Sequence, residues 1–432
     1  MEYQVKKNSD GKFGVYKKNA KRASRVFDSK EKAEQYASKM NMASSSYESA
    51  QSNAKQVGSI YQKVVPKHKG KRKKKSAIVT CCTILFFLIS LGVTYYCSHG
   101  FKDFVSSSFQ VKPVIDGDLQ FHFLELGNKY TGDSIYIKAG DMDILIDAGS
   151  REDSATAIGD YIDQYCTDGV LEYVIATHAH QDHIAGFVGD ATHKGILSRY
   201  KVETLIDFGK TDSNSKIYQN YANLRSALQQ KGTNYYTQLD CYYEQNGGQR
   251  IIKLSDNITM EILYNRFAER GGASGENNYS VCTLFKQKSN YYLMTGDLEK
   301  DGEENLIADN DLPQVVLYKA GHHGSYTSSS TEFMKVIQPK IVTVCCCAGT
   351  DEYTTNKNHQ FPSQEFITRT GIYTDKIYVT SLGTETGYTS FNGNIIVSSY
   401  GQNVNVQCSV SNTILKESEW FKNNRVWPVN GV

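Results

Sequence analysis

Thr177-His-Ala-His-Gln-Asp-His183 is the stretch that decides the fold, and it follows the short apolar segment Leu171-Glu-Tyr-Val-Ile-Ala176. Three histidines and one aspartate fall within six residues. In an extended or looped backbone, His178 and His180 lie on the same side and can hold one ion. Asp182 and His183 start the next turn and can face a second ion. The pattern therefore predicts two metal positions at the end of a strand.

The donor types indicate which metal ions fit. Imidazole and carboxylate groups suit Zn²⁺ best and also accept Mn²⁺ or Fe²⁺. Two such cations would lower the pKa of a bound water from about 16 towards 7, giving hydroxide at neutral pH, and would stabilise charge on a phosphoryl group. We therefore expect a hydrolase with two divalent ions, Zn²⁺ first and Mn²⁺ second.

Further candidate residues follow other apolar segments. Asp147 ends Met142-Asp-Ile-Leu-Ile-Asp147, and Asp297 lies in Thr295-Gly-Asp-Leu298. His322-His-Gly-Ser325 follows Val315-Val-Leu-Tyr-Lys-Ala320. A single aspartate in such a place is common, because turns at strand ends favour it. The order and spacing of the motifs carry the prediction.

The arrangement of apolar segments predicts a layered α/β fold. Segments 119–126, 134–138 and 142–147 predict an opening meander of three strands, and 153–166 predicts a helix. Strands are expected near 250–264, 279–286 and 290–296, and helix and strand alternate from about 302 to 397. Two similar mixed halves favour two packed sheets with helices on both outer faces.

Six stretches carry a resemblance to a known family: FLELGNKYTGDSIYIKAGDMDILIDAG, THAHQDHIAG, ENNYSVCTLF, YYLMTGDLEKDGEENLI, VVLYKAGHHGSYTSSSTEF and NHQFPSQEF. Over roughly residues 119–398 the chain resembles the metallo-β-lactamase fold, an αββα sandwich. Within that fold it resembles the hydrolase domain of ComEC-type DNA-uptake (competence) proteins. Standalone extracellular relatives include enzymes that remove phosphocholine from wall teichoic acids.

The resemblance implies a role for each motif. The implied metal ligands are His178, His180, Asp182, His183, Asp297 and His322. Asp297 would bridge both ions, and Asp147 would brace the histidine loop from behind. Because adjacent residues of a strand point in opposite directions, only one of His322 and His323 should be a ligand. We favour His322, with His323 as the alternative. Asp182 would orient the nucleophile, and His323 or Ser325 would assist the leaving oxygen.

One ligand of the family pattern is missing. Typical members supply a third histidine to the first ion from the region before the bridging aspartate. Here that region holds only His193, ten positions after His183 and therefore expected at the surface. Asn278 and Ser280 stand in the family's Asn-x-Ser signature instead. His359, in His-Gln-Phe-Pro362, is the remaining candidate to complete the site or to bind substrate.

Charge divides the chain into two parts. Residues 1–75 hold 20 Lys and Arg against 6 Asp and Glu, and residues 76–432 hold 28 against 40, so the net charges are +14 and −12. Between them, 76–97 is an uncharged apolar run of 22 residues, long enough to span a bilayer core about 30 Å thick. The basic run at 67–75 predicts a cytoplasmic N-terminus and an extracellular C-terminal part.

These features predict the domain organisation and location. We expect a small cytoplasmic ββα domain at 1–41, a polar then polybasic linker at 42–75, a transmembrane helix at 76–97 and a linker at 98–118. The hydrolase domain would cover 119–400 and a C-terminal extension 401–432. Residues 1–41 resemble a small bacterial ββα family of unknown function and could bind a cytoplasmic protein. The chain would be a single-pass protein of the cell membrane.

Three functions fit the sequence. The first is an extracellular phosphodiesterase acting on DNA or on a wall polymer such as teichoic acid. The acidic C-terminal part argues against simple non-specific DNA binding, which needs clustered Lys and Arg. The second is hydrolysis of a lactone, thioester or β-lactam, which uses the same hydroxide. The third is a non-catalytic sensor or tether with a degenerate outer domain, which the intact metal string disfavours.

Overall fold

The computed structural model describes residues 3–7, 12–17, 25–27, 29–32, 34 and 118–432. The chain divides into two units, Met1–Phe109 and Gln110–Val432. The predicted linker at 42–75, the predicted span at 76–97 and residues 98–117 lie outside the described residues. Among the residues described, no helix combines the length and apolar character that crossing a bilayer requires.

In the first unit, three short strands form one antiparallel sheet. They are β1 (Tyr3–Lys7), β2 (Phe13–Lys17) and β3 (Arg25–Phe27). Tyr3 lies opposite Lys17 in the pair of β1 and β2, the arrangement that the predicted hairpin requires. The strand β3 pairs with β2 and has no counterpart in the sequence prediction. Most of the helix predicted for the ββα domain at 1–41 lies outside the described residues.

The second unit is built on two eight-stranded sheets. The first sheet contains β4 (Leu119–Phe123), β5 (Ile135–Ala139), β6 (Met142–Ile146), β7 (Val170–Ala176), β8 (Lys201–Asp207) and β9 (Asn234–Thr237). The second contains β10 (Ile251–Lys253), β11 (Ile258–Ile262), β12 (Thr283–Gln287), β13 (Asn290–Met294), β14 (Leu317–Lys319), β15 (Ile341–Ala348), β16 (Ile377–Thr384) and β17 (Gly387–Ser390). The chain then returns to the first sheet with β18 (Ile395–Tyr400) and β19 (Asn403–Cys408).

Nine α-helices lie between these strands, and a tenth follows β19. They are α1 (Ser154–Ile162), α2 (Gln181–Val188), α3 (Ile196–Arg199), α4 (Lys216–Gln230), α5 (Gln238–Tyr242), α6 (Arg266–Arg270), α7 (Lys300–Asp309), α8 (Thr331–Ile337), α9 (Gln364–Thr370) and α10 (Glu419–Asn424), all within residues 118–432. The predicted helix at 153–166 is α1, and it ends four residues earlier than expected.

In each sheet, the carboxyl ends of the parallel strands lie next to the candidate metal ligands. Strands β6 to β9 are parallel, and so are β13 to β16. Because the carboxyl ends of parallel strands meet at the same edge, the segments that follow them lie side by side. Asp147 follows β6, the histidine string follows β7, Asp297 follows β13 and His323 follows β14.

Apolar side chains between and outside the sheets form the core. Phe121 of the first sheet contacts Phe285 of the second, with ring centroids 5.2 Å apart. Alternate residues of β14 face different layers: Leu317 joins the core between the sheets, whereas Tyr318 packs with Phe333 of α8. The predicted arrangement of two packed sheets with helices outside is therefore confirmed. The seven cysteines in 118–432 are free, and six are buried.

The predicted boundary at residue 400 is wrong. Residues 395–400 and 403–408 form one hairpin, which pairs with β4 and so belongs to the first sheet. Beyond it, the buried Arg425 donates hydrogen bonds to the carbonyl oxygens of Pro362 (2.9 Å) and Gln360 (2.7 Å). Residues 401–432 therefore belong to the sandwich and are not an extension, since β19 pairs with β18 and Arg425 is buried against residues 360–362.

Candidate metal centre

Backbone contacts fix the histidine loop against its neighbours. The Ala148 amide donates to the His183 carbonyl (2.8 Å), and the Asp133 amide donates to the Asp182 carbonyl (3.0 Å). A Cβ on Gly149 would lie 1.5 Å from the Asp182 carbonyl oxygen, so only glycine allows this approach. Backbone hydrogen bonds alone therefore hold the segments that contain Asp133, Ala148 and Asp182 together.

Four buried side chains converge at the edge of the two sheets. They are Asp182, His183, Asp297 and His323, whose donor atoms lie within 4.8 Å of one another. The Oδ2 atom of Asp297 is 3.0 Å from His183 Nε2 and 3.1 Å from His323 Nε2. His323 Nε2 is 3.5 Å from Asp182 Oδ2. We refer to these four residues as the four-ligand cluster.

The geometry of the four-ligand cluster fits a divalent cation. An ion held tetrahedrally at about 2.0–2.1 Å has ligand atoms about 3.3 Å apart, close to the three separations above. The buried Nε2 atoms of His183 and His323 have no hydrogen-bond partner of normal geometry among the described residues. Buried polar atoms are rarely left in this condition unless a ligand satisfies them. Two imidazoles and two carboxylates suit Zn²⁺ or Mn²⁺.

Asp147 lies where the sequence placed it, behind the histidine loop. Its Oδ2 accepts from His183 Nδ1 (2.7 Å) and from the Thr177 hydroxyl (2.7 Å), and its Oδ1 accepts from the Thr177 amide (2.8 Å). The contact with Nδ1 leaves Nε2 of His183 as the free ligand atom. Asp147 therefore fixes both the position and the tautomer of this histidine.

Asp133 and Lys319 are two central residues that the sequence reasoning missed. Both are fully buried, and the Lys319 ammonium contacts Asp133 Oδ2 directly. Lys319 Nζ also lies 3.2 Å from Asp297 Oδ1 and 3.0 Å from the Gly296 carbonyl oxygen. Asp133 Oδ1 is 3.3 Å from His323 Nδ1. The one feature of the sequence that could have indicated Lys319 is a charged residue within the otherwise uncharged segment 315–320.

His178 and His180 form a separate pair beside the four-ligand cluster. His178 Nε2 and His180 Nδ1 are 3.1 Å apart, a spacing that two ligands of one ion can have. The ring of His178 lies 4.2 Å from that of His183 between centroids. Ser280 Oγ lies 3.5 Å from His178 Nδ1 and accepts from the Asp297 amide at 3.2 Å. Asn278 accepts from the Glu299 amide, so it supports the loop.

The preference for His322 over His323 as the ligand is corrected by the structure. Strand β14 ends at Lys319, and Gly321–Gly324 forms a 3-10 turn in which both histidines have positive φ, 45° and 52°. The alternation of a strand therefore does not apply to them. His323 enters the four-ligand cluster. His322 points to Glu299 Oε1 (3.2 Å) and the Thr327 hydroxyl (3.0 Å).

Three other predicted residues lie outside the four-ligand cluster. Ser325 is buried, and its hydroxyl pairs with that of Thr327 at 3.0 Å. The ring of His359 stacks on Tyr326 with centroids 4.2 Å apart. His193 pairs with Asp190 at the surface, as expected. Neither Ser325 nor His359 is a ligand in this arrangement.

Tyr353 is a further residue that the sequence did not reveal. Its hydroxyl donates to Asp182 Oδ2 at 2.8 Å, and its ring packs on Phe361 with centroids 5.3 Å apart. The side chain is half exposed. Tyr353 therefore connects the four-ligand cluster to the protein surface.

The charges of the cluster perturb its pKa values strongly. Burial disfavours the charged imidazolium, yet the carboxylates of Asp297 and Asp147 outweigh it and raise the pKa of His183 to about 10. Burial also opposes ionisation of Asp297, but His183 and His323 hold its pKa well below the usual value. Such opposed shifts are typical of functional sites. Protons on the histidines must leave before a cation binds, so binding weakens as the pH falls.

A comparison with protein families identifies the domain. The sequence profile of the Metallo-beta-lactamase superfamily matches residues 127–220, which include Asp147 and the whole histidine string. The chain is therefore similar to the metallo-beta-lactamase superfamily over these residues. It is also 24% identical over 321 residues to ComE operon protein 3 of Bacillus subtilis (strain 168), covering 69% of this chain and 34% of the relative. The chain spans about a third of that relative's length, and the ComEC-like resemblance is confirmed.

The matches to solved structures are weaker. The metallo-beta-lactamase fold protein YhfI from Bacillus subtilis is 12% identical, with a TM-score of 0.35, and the match covers 62% of this chain and 98% of that chain. The short form of human tRNase Z is 14% identical, with a TM-score of 0.31, and the match covers 52% and 92% of the two chains. At these scores neither match supports an inference about activity.

Proposed function

We propose that this metallo-beta-lactamase domain is a phosphodiesterase that depends on a divalent cation. The observation that carries the proposal is the four-ligand cluster, in which two buried imidazole Nε2 atoms face one carboxylate oxygen at 3.0 and 3.1 Å. A divalent cation bound there would supply a Lewis acid and a water of lowered pKa, the chemistry that hydrolysis needs at neutral pH.

Asp182 of the four-ligand cluster and the nearby His322 would position the water and protonate the leaving group. Asp182 would position the attacking water, since its Oδ2 accepts the hydroxyl of the half-exposed Tyr353. His322 is the partly exposed side chain of the HHGS turn, with 21% of the side chain accessible. Because Ser325 is buried and His323 belongs to the cluster, His322 is best placed to give a proton to the leaving oxygen.

A phosphodiester is the substrate class that we favour, in DNA or in a wall polymer such as teichoic acid. A cation and the neighbouring His322 suit a group that carries negative charge in its ground state and gains more during attack. The resemblance to ComEC-type proteins supports the same class. A lactone, thioester or β-lactam carries no such charge and remains the alternative substrate for this chemistry.

Location and partners belong to the same proposal. We propose that residues 76–97 anchor the chain in the cell membrane, that the hydrolase domain is extracellular, and that residues 1–41 bind a cytoplasmic protein. The charge difference of +14 against −12 on either side of the apolar run supports this orientation. Protease accessibility of residues 118–432 on intact cells would test it directly.

The decisive experiment measures hydrolysis of bis(p-nitrophenyl) phosphate by the full chain with Zn²⁺ or Mn²⁺. The double variant Asp182→Asn/His183→Ala should lose activity, because both side chains belong to the four-ligand cluster. His193→Ala is the matched control, since this surface histidine contacts only Asp190 and its neighbours. Undiminished hydrolysis by the double variant would refute the proposal.

A substrate panel separates the alternatives. Linear DNA, teichoic acid fragments, a lactone, a thioester and a β-lactam are offered to the same preparation. Turnover of a phosphodiester that depends on the four-ligand cluster supports the proposal, whereas turnover of the carbonyl substrates alone replaces it. A purified chain with less than one bound ion, and no activity on the panel, would favour the sensor or tether.

A further inference from the structure

The fully buried Lys319 lies at the centre of the metal site, where a cation is unexpected. Its ammonium is surrounded by oxygen atoms of Asp133, Asp297 and Gly296. Burial of a lysine is costly unless its charge is paired and its N–H groups are satisfied, and here three oxygens meet both needs. The lysine is therefore a built part of the site and not a core side chain that happens to be charged.

The contact with Lys319 gives the two oxygens of the Asp297 carboxylate different partners. Oδ1 faces Lys319 Nζ at 3.2 Å, and Oδ2 faces the Nε2 atoms of His183 and His323 at 3.0 and 3.1 Å. Only Oδ2 is available to an ion in the four-ligand cluster. If Asp297 bridged two ions through both of its oxygens, the contact between Oδ1 and Lys319 Nζ would first have to break.

In the part of the chain that the structure describes, the neighbouring pair of His178 and His180 belongs to no group of three or more possible ligands. His178 and His180 provide two nitrogens, and the sequence holds no third histidine there except the surface residue His193. The polar groups at that position already have partners: Ser280 Oγ accepts the Asp297 amide, and Asn278 Oδ1 accepts the Glu299 amide. Two ligands hold an ion much more weakly than the four of the cluster.

We propose that Lys319 is a positioning residue that restricts Asp297 to one donor atom and so limits the chain to one tightly bound divalent cation, in the four-ligand cluster. His178 and His180 then serve as neighbours of that ion and not as a second tight site. This departs from the pair of ions that the sequence predicts, and it does not depend on which bond the protein hydrolyses.

The test counts ions in the full chain. The protein is loaded with Co²⁺ or Zn²⁺, passed through gel filtration to remove weakly bound metal, and analysed by mass spectrometry of the metal. The variants are Lys319→Met and Lys319→Met/Asp133→Asn. The double variant removes one charge of each sign, so it preserves folding if the single variant leaves too much buried negative charge. The Co²⁺ absorption spectrum reports any change in coordination.

A matched control pair lies one strand away from the histidine string. Asp207 ends β8, is fully buried and contacts Arg225 at 2.6 Å. Arg225→Met/Asp207→Asn therefore removes a cation and a carboxylate of the same kind without touching the four-ligand cluster. Its metal content and Co²⁺ spectrum should equal those of the wild type.

The expected results are one ion per chain for the wild type and for His178→Ala/His180→Ala, and none for His183→Ala. The Lys319→Met/Asp133→Asn variant should retain two ions, and adding His178→Ala to it should restore one. Two ions in the wild type would overturn the proposal. The proposal would also be overturned if the folded Lys319→Met/Asp133→Asn variant held one ion with an unchanged Co²⁺ spectrum, or held no ion.

Discussion

Replacing Asp147 by Asn tests how the protein orients His183 without changing the shape of the site. Asp147 has a φ of 59°, in the left-handed region that asparagine also adopts readily, so the backbone should be preserved. The substitution replaces the carboxylate, whose Oδ2 accepts hydrogen bonds from both His183 Nδ1 and the Thr177 hydroxyl, by an amide group. An amide nitrogen there favours an unprotonated Nδ1, which puts the proton on Nε2, the ligand atom.

The expected effect is a loss of metal affinity. Removing the partner that orients a ligating histidine lowers affinity about 10–100-fold, which corresponds to about 1.4–2.7 kcal/mol. The effect should lie towards the upper end, because His183 is fully buried and water cannot replace the lost partner. The dissociation constant for Zn²⁺ is measured by competition with a chelator at fixed pH.

Asp207→Asn provides the control for this measurement. Asp207 is also a fully buried aspartate at the end of a parallel strand, but it accepts from Tyr221, Arg225 and Tyr235 instead of a histidine. Its replacement should lower stability and leave metal affinity unchanged. Equal affinity of Asp147→Asn and the wild type, or equal losses in both variants, would contradict the assigned role of Asp147.

His323→Ala should abolish retention of the ion and His322→Ala should not, as measured by metal content after gel filtration; the reverse result would restore the ligand favoured from sequence. Burial raises the pKa of Glu303 from 4.5 to about 7. The folded chain therefore binds the carboxyl proton of Glu303 more tightly than the unfolded chain does. The free energy of unfolding should fall by about 3 kcal/mol as the pH rises from about 4.5 through 7. Urea unfolding between pH 5 and 7.5 should show the decline, and Glu303→Gln should flatten it; an equal decline in both would contradict the assignment.

The sequence predicts the local parts of the site and misses those built by distant residues. The string from Thr177 to His183 is readable because all of its donors lie within six consecutive residues. Asp133 precedes β5 of the first sheet and Lys319 ends β14 of the second, so only the packing of the two sheets brings these distant residues together. No periodicity or spacing in a single sequence reports such a contact.

The error at His322 has a different origin. The segment before it is a strand that ends at Lys319, and the prediction extended the alternation of that strand four residues too far, to His323. Gly321 and Gly324 allow a turn in which both histidines take a left-handed backbone, and this rotates His323 towards Asp297. Two glycines around a histidine pair were the available signal that regular strand geometry had ended.

The position of β4 has a consequence for how the domain is completed. The first strand of the domain lies between β5 and β18, so its outer partner is made from residues 395–400, near the end of the chain. Until those residues are available, β4 presents an unpaired edge that other extended segments can bind. A chain truncated before residue 395 would thus hold every residue of the four-ligand cluster and still be prone to aggregate.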